Sequence, residues 1–74
     1  MKPLAEMLSE AMATSYPTLS FHAAVKQRLV DGIDREAMIA DLNALIGAVS
    51  DEQEDVVQDV LDAFYGRCHQ GMRL

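Results

Sequence analysis

The fold is decided by residues 33–64, IDREAMIADLNALIGAVSDEQEDVVQDVLDAF, which hold two successive helix signals. In the first of these, Asp34 is suited to cap a helix, and Ile33 before it can pack on Met38 as a hydrophobic staple. The apolar residues that follow recur at three- and four-residue spacing and share one helix face, formed by Met38, Ile39, Leu42, Leu45, Ile46 and Val49. This pattern predicts a core helix over residues 34–49.

The second signal predicts a helix over residues 51–70. Ser50 with Gln53 three residues later is a capping-box pair, and acidic residues follow at the positive end of the expected helix dipole. The apolar face of this helix consists of Val57, Val60, Leu61, Phe64 and Cys68.

Two further helices precede this region. A helix over residues 3–14 begins with Pro3 at a position that needs no amide hydrogen, and its apolar face is Leu4, Met7, Leu8, Ala11 and Met12. Pro17 predicts a turn, after which Ser20 is a suitable cap for a helix over residues 20–31. The apolar face of that helix is narrower, with Phe21, Ala24, Val25 and Leu29.

These patterns predict an all-α fold, a compact bundle of four short helices within one small domain spanning residues 1–74. Connections of two to six residues favour neighbours that are antiparallel or sharply crossed. A second possibility is a bundle of three helices with a loosely packed N-terminal helix, because a chain of 74 residues offers little interior.

The composition excludes several classes of function. Twelve acidic against six basic residues give a net charge of −6, which disfavours nucleic acid as a partner because nucleic-acid binding needs a basic patch. One cysteine cannot form an intramolecular disulfide. The sequence contains neither a secretory signal pattern nor eighteen consecutive apolar residues, so we expect a cytoplasmic protein with no membrane partner.

Few residues offer catalytic chemistry. Cys68, His69 and His22 are the candidates for a nucleophile or a soft metal, but adjacent helical residues point about 100° apart. We expect Cys68 to be buried and inert and His22 to lie at the rim of the core. Neither Ser20 nor Ser50 has the setting of a phosphopantetheine-carrying serine, so the sequence predicts no enzyme, no metal and no cofactor.

The most distinctive surface feature is an acidic row on the fourth helix. Its four carboxylates fall within about 80° of one another at helical spacing, and residues 51–62 contain six acids and no base. The row consists of Asp51, Asp55, Asp59 and Asp62. It is either a solvated helix face or a recognition face for a basic protein.

The number of apolar stripes also predicts self-association. A single small chain has little room to bury four stripes, so we expect a homodimer with an intermolecular core. Its candidate residues come from the first and fourth helices: Met7, Leu8, Met12, Phe64 and Tyr65. If two fourth helices paired antiparallel, Arg67 and Arg73 of one chain would face the acidic row of the other.

The sequence therefore favours a non-catalytic interaction protein, a small acidic regulator or adaptor that self-associates. The alternative is an immunity- or inhibitor-type protein that neutralises a basic partner through the acidic row.

Overall fold

A computed structural model describes residues 3–66, and within that range the chain forms four α-helices and no strand. Helix α1 spans Leu4–Met12, α2 spans Pro17–Val30, α3 spans Arg35–Leu45 and α4 spans Asp51–Phe64. The predicted all-α class and the number of helices are confirmed.

The helices form a four-membered ring around one core. Helix α1 packs on α2 and α3, and α4 packs on the same two helices from the opposite side. Helices α1 and α4 are therefore diagonal partners, as are α2 and α3. Each helix can turn one face to the common centre and leave the opposite face to solvent.

The predicted N-terminal caps of α3 and α4 are both present. The Asp34 carboxylate accepts a hydrogen bond from the Ala37 amide at 3.0 Å. The Ser50 hydroxyl accepts one from the Gln53 amide at 3.3 Å, while the Gln53 side chain accepts one from the Ser50 amide at 3.2 Å. These bonds satisfy amide groups that have no partner within the helix.

The predicted ends of α3 and α4 are wrong, and a glycine explains each. Helix α3 stops at Leu45, before the predicted residue 49, because Gly47 adopts φ +88°, a left-handed conformation that ends the helix. Helix α4 stops at Phe64, before the predicted residue 70, because Gly66 has φ +75°. Cys68, with the predicted last turn of α4, lies outside the described residues.

Helix α2 starts three residues earlier than predicted. Pro17 occupies the first turn of α2, where its fixed φ suits the helix, and Tyr16 before it is non-helical. The Tyr16 carbonyl accepts the first helical bond, from the Ser20 amide at 2.9 Å. Ser20 is therefore inside the helix, where its hydroxyl lies 2.9 Å from the Thr14 hydroxyl.

All four helices contribute to a single hydrophobic core. Its most buried large side chains are Phe21, Leu8, Met38, Leu42, Leu61, Val25, Val57 and Val60. Helix α1 adds Leu4 and Ala11 as well as Leu8, so the alternative of a loosely packed N-terminal helix is wrong. Helix α1 packs mainly on α2, the next helix in the chain, and also reaches α3.

Candidate functional site

The acidic row is present on the solvent side of α4. Asp51, Asp55 and Asp59 are exposed, and Asp62 is partly buried with its carboxylate accepting a bond from the Gln58 side chain at 3.3 Å. The opposite side of the helix is buried in the core. The row extends about 16 Å along the helix axis. It is therefore an extended face of carboxylates and has no enclosed centre.

One shallow depression interrupts this face. It has a volume of about 240 Å³ and is lined by Asp51, Glu54, Asp55 and Gln58. Three carboxylates surround it, so a lysine or arginine side chain from another molecule would meet favourable charge there. Among residues 3–66, no group of three or more His, Cys, Asp or Glu side chains could hold a metal ion.

The residues predicted for self-association do not form a surface together. Leu8 is fully buried and Phe64 is 6% exposed, so both belong to the core of the single chain. Met7 and Met12 are partly buried and pack against that core. The expectation that a small chain could not bury its α1 and α4 stripes failed because these diagonal helices both face the centre. Tyr65 is 54% exposed.

The two basic tail residues of that prediction, Arg67 and Arg73, lie outside the described residues, as does His69.

Helices α1 and α2 enclose a second depression, of about 320 Å³. Its lining consists of Met7, Glu10, Ala11, Thr14, Ser20 and Ala24. The Thr14 hydroxyl donates to the Ala11 carbonyl at 2.7 Å and lies next to Ser20, so both hydroxyls at its end have partners. Within residues 3–66, every buried side-chain nitrogen and oxygen has a hydrogen-bond partner. The depression contains no polar group that requires a ligand.

An exposed apolar stripe on α2 was missed by the sequence reasoning. Leu19 is 53% exposed and Val30 is 72% exposed, with the exposed residues Ala23 and Lys26 between them. At about 100° per residue these four side chains lie within about 60° of one another, on a face turned about 120° from the buried face formed by Phe21, His22 and Val25. Tyr16, 69% exposed, stands at the start of the helix. We call Leu19, Ala23, Lys26 and Val30 the α2 outer stripe.

The sequence does contain a signal for this stripe, because its four residues are separated by four, three and four positions. Placing the helix start at Ser20 left Leu19 outside the predicted helix and shortened the repeat. The structure restores it, since α2 begins at Pro17.

The start of α3 is joined to the end of α4 by Arg35. Its guanidinium donates to the Phe64 carbonyl at 2.8 Å, and its central carbon lies 4.9 Å from the centre of the Phe64 ring. The bond satisfies a carbonyl that the end of α4 leaves without a helical partner. The cation also lies at the negative end of the α4 dipole. This contact is structural, and it fixes the acidic helix against α3.

His22 is 8% exposed, so the prediction of a rim position was wrong. It belongs to the inner side of α2 and has an interaction partner in the structure. We therefore assign it a packing role.

None of the described helices is long and apolar enough to cross a membrane. Comparison of this chain with protein-family models, curated proteins and solved structures finds no match. Any functional conclusion must therefore rest on the surfaces of this chain, namely the acidic row and the α2 outer stripe.

Proposed function

We propose that this chain is a non-catalytic protein–protein interaction module, a small acidic regulator or adaptor that self-associates. The observation that carries the proposal is the exposure of Tyr16, Leu19 and Val30 along one helix. Each of these large apolar side chains is more than half exposed, although the core of the chain already uses all four helices. Large apolar side chains that share one exposed helix face mark that face as a candidate protein interface.

Two properties of the surface support a binding role over a catalytic one. The two depressions described above are shallow, and the Thr14 and Ser20 hydroxyls in the one between α1 and α2 are bonded to each other. The two distinctive faces differ in chemistry, since the acidic row consists of carboxylate side chains and the α2 outer stripe is mainly apolar. Different chemistry on different helices is suited to an adaptor that contacts itself through one face and a second protein through the other.

Sedimentation equilibrium of the full chain tests this proposal. We expect the average mass to rise from that of one 8.2 kDa chain towards twice that value as concentration increases. A mass that stays at one chain up to about 500 µM would contradict self-association.

The alternative function, neutralisation of a basic partner as an immunity- or inhibitor-type protein, is supported by the depression between Asp51 and Asp55. Complementary charge would speed encounter with a basic protein and weaken binding as salt increases. For both functions we propose that the chain acts in the cytoplasm and that its partner is a protein. Neither function involves nucleic acid or a membrane.

The alternative predicts that the double change Asp55→Asn and Asp59→Asn reduces both the recovery of a basic partner in a pull-down and the salt dependence of its binding. Glu36→Gln with Asp41→Asn on α3 removes the same two charges elsewhere and is the matched control. Equal recovery with both double variants would mean that the acidic row is only a solvated face.

A further inference from the structure

The α2 outer stripe has a spacing that is the same in both directions. Leu19, Ala23, Lys26 and Val30 are separated by four, three and four residues. Alternating steps of three and four are the seam of a helix pair packed by knobs into holes. Because the order of steps is symmetric, a second copy of α2 laid antiparallel aligns every position of the stripe.

The side chains also match in size in that alignment. Leu19 of each copy would lie opposite Val30 of the other, which pairs two branched apolar side chains. Ala23 would lie opposite Lys26 of the other copy, so the smallest residue of the stripe leaves room for the longest. The lysine stem can cover the alanine methyl while its ammonium stays in water at the edge.

Charge also distinguishes α2 from the other helices of the described region. Helix α2 contains Lys26 and Arg28 and no acidic residue, whereas α4 contains six acids and no base. Helices α1 and α3 each carry two carboxylates. Two chains of net charge −6 repel each other. Pairing through α2 keeps the carboxylates of the other helices out of the contact, although Lys26 and Arg28 of the two copies then add a smaller like-charge repulsion.

We infer that α2 is the self-association face, with the α2 outer stripe of one chain packed antiparallel on that of a second copy. The inference rests on the proposed function, because it specifies how the chain self-associates. It replaces the α1 and α4 surface predicted from the sequence with a surface that is exposed in the folded chain.

The pairing forms a small interface. The interface has four layers of side chains, two with Leu19 against Val30 and two with Ala23 against Lys26. Its buried surface area is therefore at the low end of protein interfaces. We therefore expect a reversible dimer with a dissociation constant of about 10 to 100 µM. The lysine weakens the pair and also fixes its register, because a shifted register would bring Lys26 against the larger Leu19 or Val30 side chain in place of Ala23.

Cross-linking tests the geometry directly. Chains carrying Leu19→Cys are mixed with chains carrying Val30→Cys, all with Cys68→Ser, and are treated with a short bis-maleimide. The antiparallel pair predicts a cross-link between unlike chains and none between two Leu19→Cys chains, whose thiols would be about 16 Å apart along the axis. Cross-links between like chains, or none at all, would overturn the proposed pairing.

Substitutions distinguish dimerisation through α2 from self-association through another surface. Val30→Lys is expected to weaken dimerisation at least tenfold, and Lys26→Leu to strengthen it about tenfold. Tyr65→Lys is the matched control, since Tyr65 is also more than half exposed but lies at the end of α4. Circular dichroism melts of each variant would verify that the fold is retained.

The outcomes are distinguishable. A dimer that Tyr65→Lys dissociates and Val30→Lys leaves intact would overturn the α2 interface while self-association stands. A natural chain that is monomeric at every concentration would remove both.

Discussion

The contact of Arg35 with the end of α4 should stabilise the whole bundle, and Arg35→Ala removes it. The guanidinium bonds the Phe64 carbonyl at 2.8 Å and covers the Phe64 ring. Because residues 35 and 64 come from different helices, the contact exists only in the folded chain. Its loss should therefore lower the free energy of unfolding.

The magnitude follows from three effects. A hydrogen bond from a charged donor contributes about 1.5 kcal/mol at the low end of its range, which suits the exposed side chain of Arg35. The cation over the ring adds about 0.5 kcal/mol. In the opposite direction, a positive charge in the first turn of α3 opposes the helix dipole by about 0.5 kcal/mol. The stabilising contact with α4 is larger than this unfavourable effect. We therefore expect Arg35→Ala to lower the free energy of unfolding by about 1.5 kcal/mol.

Urea denaturation followed by circular dichroism measures this difference. Lys26→Ala is the control, because it also removes one positive charge from an exposed helical residue. The measurement is made at about 5 µM so that dimerisation does not contribute. If the free energies of unfolding of the two variants were within about 0.3 kcal/mol of each other, the contact of Arg35 with Phe64 would not stabilise the fold.

Three further changes test the fold and its surface. Leu42→Ala empties a fully buried position and should cost about 3 kcal/mol in urea denaturation, whereas a cost below about 1 kcal/mol would contradict its place in the core. Ser50→Ala removes the cap of α4 and should cost about 1 kcal/mol, with Ser9→Ala at an exposed site of α1 as control. Asp55→Asn with Asp59→Asn relieves repulsion between neighbouring carboxylates and should raise stability by about 0.5 kcal/mol at low salt, a gain that high salt abolishes. If the double variant were less stable than the natural chain at low salt, these carboxylates would have favourable partners in the folded chain.

Local signals of the sequence were sufficient for the number of helices and for two of their starts. Asp34 and Ser50 each bond an amide three residues away, so the information lies within one turn. The helix ends were less predictable. The apolar repeat continues through Gly47 to Val49, and both Ile46 and Val49 still pack on the core although the helix has ended.

The candidate surfaces depended on information that no local pattern contains. Which stripe faces the core is set by the ring of helices, so Leu8 and Phe64 could not be assigned to the interior from spacing alone. The contact between Arg35 and Phe64 joins residues 29 positions apart. The acidic row was predictable because its four carboxylates recur at three- and four-residue spacing within one helix, on the side opposite the apolar repeat.

Dilution of an isotopically labelled sample, followed by amide NMR, shows whether two copies of this chain meet through α2. Pairing through α2 would give concentration-dependent shifts at the amides of Leu19, Ala23, Lys26 and Val30, with a midpoint between about 10 and 100 µM. The amides of Asp51, Asp55 and Asp59 would stay constant. Shifts confined to α4, or a spectrum that does not change with concentration, would contradict it.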